Sequence, residues 1–160
     1  MSTIPAHIQG QIADLLAIAP VDVMAIAQRL KLAVYTRDLP QGVSGSLVQD
    51  KSYGTESGFV IFVDDSEIYY RQRFTAAHEI GHFVLHHDHV GQGVQDNFLL
   101  RSDRMSNWME RQANQFAADL LMPFPLVNGL IEQGVASVPE LAQRLQVSEI
   151  AMAIRLGHPT

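Results

Sequence analysis

The stretch HEIGHFVLHHDH, His78 to His89, holds five of the chain's seven histidines, and its reading decides the fold. His78 and His82 stand four apart with Glu79 beside the first, the H-E-x-x-H arrangement. On an α-helix, positions i and i+4 project the same way, one turn apart. Two imidazoles so placed can hold one tetrahedral Zn²⁺, and Glu79 is then the catalytic carboxylate next to the water that zinc activates. A bare H-E-x-x-H also arises in helices with no metal. The flanks favour the metal: Phe74, Ala76, Ala77, Ile80, Phe83, Val84 and Leu85 recur at i, i+3, i+4 and i+7. That rhythm predicts one long helix from Tyr69–Arg71 to about His87, with the two histidines sheltered against a core.

Composition narrows the chemistry. At 160 residues, 47% hydrophobic and 18% charged, the chain has the makings of one globular domain. It has no cysteine, so a zinc site must be built from His and carboxylate, and no disulfide framework exists. The start MSTIPAHIQGQ lacks the basic n-region and apolar h-region of a secretory signal. No apolar run approaches the ~20 residues of a membrane span. A net charge of −6 argues against the molecule as a whole being a nucleic-acid binder. The expectation is a soluble cytoplasmic protein.

Upstream of the motif, Pro5 followed by Ile8, Ile12, Leu15 and Leu16 predicts a helix ending before Pro20. Asp22 is a candidate cap for a second, carrying Val23, Ile26, Ala27 and Leu30. Leu32–Thr36, Ser46–Gln49 and Gly58–Val63 read as strands, the last a continuous apolar run suited to burial on both faces. KSYGTES reads as a hairpin connection between the second and third.

Downstream, a polar, Gly-containing loop is expected over residues 88–103, interrupted by Phe98, Leu99 and Leu100. A helix is predicted from Asn107 to Met122, stopped by Pro123, with Met109, Ala113, Phe116, Ala117, Leu120 and Leu121 as its buried stripe. A third zinc ligand should come from an acid on such a neighbouring helix, and Glu110 is the candidate. The competing reading is a capping box, Asn107-x-x-Glu110. A short helix ends at Gly134. Ser137-x-x-Glu140 and Ser148 then open a last helix pair with the look of a helix-turn-helix, although Gln146 stands where that turn often has Gly. Residues 137–160 carry two Arg and two Glu, so a packing or partner surface is preferred over a DNA reader.

RQRFTAAHEIGHFVLH (Arg71–His86) followed by ERQANQFAADLLMP (Glu110–Pro123) resembles the ImmA/IrrE family of metallopeptidases. PVDVMAIAQRL, GVSGSLV and LAQRLQVSEIAMAIRL are similar to that family in order, so the likeness runs from about Pro20 to Leu156. It implies an α+β, zincin-like fold, with a small, mainly antiparallel sheet packed on the H-E-x-x-H helix and further helices at both ends. It implies zinc on His78, His82 and Glu110, with Glu79 catalytic. The organisation expected is a zincin-like domain over residues 1–136, with the 137–160 helix pair packed as part of it. The substrate class implied is a protein partner, a helix-turn-helix repressor cleaved in an anti-repressor role. The alternative is a non-hydrolytic regulatory or toxin–antitoxin component that grips a repressor or antitoxin with the same fold. Asp64-Asp65 stand where the family often has Asn.

Metzincin spacing is absent, since Asp88 replaces the third His and Leu85 the Gly. His86 lies two turns beyond His78, about 12 Å of rise, too far to share the ion. His86, His87 and His89 are therefore read as a helix C-terminal cluster complementing the dipole, with a supporting or substrate contact the minority role for His86. Tyr53, Tyr69, Tyr70 and His86 are candidates for stabilising an oxyanion, and the extended substrate is expected along an edge strand near Ser46–Gln49.

Overall fold

The computed structural model describes residues 2–90 and 106–158. Among them are seven α-helices and three strands: α1 (Ala6–Ile12), α2 (Val23–Arg29), β1 (Ala33–Arg37), β2 (Gly45–Gln49), β3 (Phe59–Asp64), α3 (Tyr69–His86), α4 (Asn107–Leu121), α5 (Phe124–Glu132), α6 (Val138–Leu145) and α7 (Glu149–Arg155). The loop expected over 88–103, with Phe98 to Leu100, falls almost wholly outside the described residues.

Caps explain several boundaries. The side chains of Asp22, Ser106, Ser137 and Ser148 each accept from a backbone N–H of the helix that follows. Ser106, not Asn107, caps α4, so the capping box that competed for Glu110 does not form. Gln146 adopts φ 55°, ψ 50°, the left-handed conformation that glycine usually supplies between two helices.

The sheet order is β1-β3-β2. β2 and β3 form the antiparallel hairpin predicted from KSYGTES, with Gln49 opposite Phe59, but β1 pairs with β3 in parallel. The sheet is therefore mixed, not mainly antiparallel. After β1 the chain reverses at Pro40–Val43 and leaves a strand's width before β2. β3 enters that gap antiparallel to β2, which makes it parallel to β1.

Central β3 is buried from Phe59 to Val63, as its FVIFV run requires. Phe59, Ile61 and Val63 face the main core, while Val60 and Phe62 face a smaller cluster with Leu39 and Tyr53. Asp64 ends the strand by accepting from Ser66 Oγ (2.7 Å) and Leu39 N (3.3 Å), which gives this acid a structural task.

Helix α3 lies on β2 and β3 and packs lengthwise against α4. Two glycines permit the closeness. A Cβ on Gly45 would overlap Thr75 Cγ2 of α3 and meet the Phe62 carbonyl at 3.0 Å. A Cβ on Gly81 would stand 3.0–3.1 Å from three carbons of buried Phe116 on α4. The terminal helices are tied to this centre by buried polar contacts. Arg73 on α3 donates to the carbonyls of Leu145 and Gln146, capping α6. Arg155 on α7 pairs with Asp119 of α4 at 2.9 Å and donates to the Met122 carbonyl. Asp119 also accepts from Thr3 N and Oγ1, both at 2.7 Å.

Candidate metal centre

The helical period places His78 and His82 on the α3 face that meets α4, their rings 4.7 Å apart between centroids. Opposite them stands Glu110, one turn into α4. Its Oε1 is 3.5 Å from His78 Nε2 and its Oε2 is 2.5 Å from His82 Nε2. The three side chains each offer a ligand atom within 4.8 Å of the other two. Tetrahedral ligands about 2.0–2.1 Å from an ion stand about 3.3 Å from one another, close to the longer of these separations.

One feature of the donors speaks for a cation. His82 Nε2 and Glu110 Oε2 are both buried, yet neither makes a hydrogen bond of acceptable geometry despite their closeness. Buried polar atoms are nearly always satisfied. A ring nitrogen and a carboxylate oxygen facing the same small volume are groups that a divalent ion can satisfy. The donor set, two imidazoles and a carboxylate, suits zinc and other first-row divalent ions.

Charge in the site is strongly coupled. Burial works against ionised Glu110, but the imidazoles of His78 and His82 outweigh it and hold its pKa at about 2. For His78, burial disfavours the cation, while Glu110, the charge of Glu79 and Asn114 together raise its pKa above the ordinary value. At neutral pH Glu110 is thus an anion ready to bind a cation.

Glu79 is buried at 3% exposure and lines the same cleft as His78 and Glu110. A Cβ on Gly45 would meet the Cγ of Glu79 at 3.5 Å, which sets this residue beside the start of β2. Gly42 to Gly45 form that side of the cleft. Of the four oxyanion candidates, Tyr70 alone lines it. Tyr53 packs with Tyr35 and Phe62 on the other face of the sheet, Tyr69 packs its ring against Tyr70, and His86 is buried behind His82.

His86 departs from the helix-end reading. Its Nδ1 is 2.9 Å from His82 Nδ1, its Nε2 is 2.7 Å from Gln112 Oε1, and its edge meets Trp108. Burial pushes its pKa down, so it is not a cation serving the helix dipole. His87 does behave as a helix-end residue, with Nδ1 3.0 Å from the Phe83 carbonyl. Asn114, whose Oδ1 takes the Nδ1 proton of His78 at 2.8 Å, and Gln112 were not singled out from sequence. For Asn114 a signal existed, since it stands four residues after Glu110 and so shares its helix face.

Fold and site together define a small α+β domain in which two helices bring two imidazoles and a carboxylate close enough to hold one metal ion. The chain belongs to the IrrE N-terminal-like domain family (peptidase M78), whose model matches residues 27–157. It is 31% identical over 135 residues to the radiation response metalloprotease IrrE of Deinococcus radiodurans, covering 78% of this chain and 40% of that protein. To the protein of the same name from Deinococcus deserti it is 30% identical over 135 residues, 78% of this chain and 47% of the other. The chain thus spans less than half the length of these relatives. A solved structure titled Mycobacterium tuberculosis transcriptional regulator superposes with a TM-score of 0.54 at 18% identity, covering 84% of this chain and 39% of that one, a likeness of fold. Among the described residues, no helix is long and apolar enough to cross a membrane.

Proposed function

We propose that this chain is a zinc-dependent endopeptidase of zincin-like architecture, acting in the cytoplasm on a protein partner. The observation that carries the reading is the pair of buried, unsatisfied donors, His82 Nε2 and Glu110 Oε2, converging with His78 Nε2 beside the Glu79 carboxylate. His78, His82 and Glu110 would hold the ion. When bound, zinc supplies Lewis acidity toward a water and a peptide carbonyl at neutral pH.

The chain's own groups do the rest. The Glu79 carboxylate takes the proton of the attacking water and delivers it to the departing amide nitrogen. Among the described residues β2 pairs with β3 along one edge only, and its first residue, Gly45, lines the cleft with Gly42 to Ser44 before it. An extended polypeptide can therefore add along the other edge and bring a peptide bond past Glu79. Tyr70, which lines the cleft, is the phenol proposed to donate to the oxyanion.

The 137–160 helix pair belongs in this reading to the same domain as residues 1–136, supported by the Arg73 and Arg155 contacts. The substrate proposed is a helix-turn-helix repressor, in keeping with the family resemblance and with the metalloprotease names of the relatives. The test is incubation of the protein and zinc with the product of the neighbouring open reading frame, read by intact mass. Two fragments summing to the partner plus one water are expected, and Glu79→Gln should bind zinc but leave the partner whole. Cleavage by Glu79→Gln at the parental rate refutes the assignment of Glu79. An intact partner that co-elutes with the zinc-loaded parent would instead establish the non-hydrolytic binding component.

A further inference from the structure

His82 presents Nε2 to Glu110, so as a metal ligand it must keep that nitrogen free of a proton. A neutral imidazole has one N–H and one lone pair, so the proton of His82 then lies on Nδ1. Nδ1 faces His86 Nδ1 at 2.9 Å. Two ring nitrogens in contact share one proton, and His82 supplies it. His86 must therefore accept at Nδ1 and carry its own proton on Nε2. That Nε2 is 2.7 Å from Gln112 Oε1, an oxygen that can only accept. The three groups agree in one setting: Gln112 accepts from His86, and His86 accepts from His82. The opposite setting puts a proton on His82 Nε2 and removes the ligand.

We propose that His86 and Gln112 are positioning residues, a two-member chain that fixes the tautomer and ring plane of His82 and so sets the affinity of the site for zinc. This rests on the metal-site reading above. His78 is held more directly, by Asn114 at 2.8 Å. Both imidazoles are thus oriented from α4, the helix that also brings Glu110, but His82 is reached through an intermediate ring. His86 is 2% exposed and fixed between His82 and Gln112, which makes it a rigid support. Gln112 lies on the exposed side of α4, so it can be changed without disturbing the core.

The experiment is zinc competition against a chromogenic chelator, with circular dichroism and the metal-free melting temperature measured on each variant. Gln112→Met removes the acceptor and keeps the length, and about tenfold weaker zinc binding is expected with the metal-free fold unchanged. Gln112→Glu keeps an acceptor and should bind within about threefold of the parent or tighter. His86→Leu should lose at least as much as Gln112→Met, and His86→Gln, which offers His82 an oxygen, should recover most of that loss. Long-range nitrogen–proton NMR of the zinc-loaded parent should find the His86 proton on Nε2. If His86→Leu fails to fold, Gln112→Met and the tautomer decide. Zinc binding by Gln112→Met within about twofold of the parent, or a His86 proton on Nδ1 in the zinc-loaded protein, overturns the proposal and leaves the metal site standing. A parent that binds no zinc overturns both.

Discussion

Gly81 sits inside the motif, and replacing it with alanine tests whether the close approach of α3 and α4 is what places Glu110. Two effects oppose each other. In a helix interior, Gly→Ala is worth about 0.5–1 kcal/mol of stabilisation, because glycine loses more backbone freedom on folding. Against this, the new Cβ would lie 3.0–3.1 Å from Cδ1, Cβ and Cγ of Phe116, which is fully buried. Ordinary carbon contacts are about 3.5–4.0 Å, so the helices must part by about 0.5 Å. Overpacking of this kind costs about 1–3 kcal/mol. The net expectation is a loss of about 1 kcal/mol, or about 2–4 °C in melting temperature for a chain of this size. Gly10 in α1 provides the control, since nothing lies within 4 Å of its added Cβ. Gly10→Ala should raise the melting temperature by about 1–4 °C. The metal site should feel Gly81→Ala more than stability does. Ligand distances tolerate only about ±0.2 Å, and Glu110 rides on the helix that moves, so zinc affinity should fall about tenfold. Thermal melts and zinc competition on both variants suffice. If Gly81→Ala melts as high as Gly10→Ala and binds zinc as tightly as the parent, the reasoning about helix separation is refuted.

Zinc at about 100 times its dissociation constant should stabilise the parent by about 2.7 kcal/mol, raising its melting temperature by about 5–11 °C, with Glu110→Gln showing little of that shift. Asp119 is held below the ordinary carboxylate range: burial opposes the charge, but hydrogen bonds from Thr3, Gln115 and Arg155 prevail. Its contribution is therefore full above the unfolded pKa of about 3.9 and is lost as pH falls through the lower folded value. Asp119→Asn, which removes the carboxylate charge paired with buried Arg155, should cost about 3 kcal/mol at pH 7 by urea denaturation and should flatten the loss of stability below about pH 4. Gln146→Gly should stabilise by about 0.5–1 kcal/mol in the same assay, because the left-handed backbone strains a residue with a Cβ; a lowered midpoint would contradict that assignment of strain.

Much of the frame was legible from residue patterns, because burial writes itself into sequence at short range. The α3 rhythm, the α4 stripe and the FVIFV strand each carry their own period, and all three elements occur where those periods place them. The convergence of His78, His82 and Glu110 was also foreseeable: helical spacing fixes the first two, and an acid on the next amphipathic helix supplies the third. What could not be read depends on how separate segments meet. The parallel pairing of β1 with β3 follows from a gap left between β1 and β2, which no local pattern records. The position of His86 is not legible in the sequence, because a histidine in the last turn of a helix looks the same whether it faces solvent or α4. Its burial is decided by Trp108 and Gln112, more than twenty residues away. Gly45 and Gly81 are legible only once their neighbours across the interface are known.

Helix α4 carries the carboxylate and, within the same few residues, the groups that steady both imidazoles. The centre is thereby a lock with all its tumblers on one bar. A slip of α4 along α3 by a single residue's rise, about 1.5 Å, would withdraw Glu110, Gln112 and Asn114 together. Affinity for the ion would then collapse in one step instead of fading ligand by ligand. Anything that grasps the solvent side of that bar thus holds leverage over the whole centre.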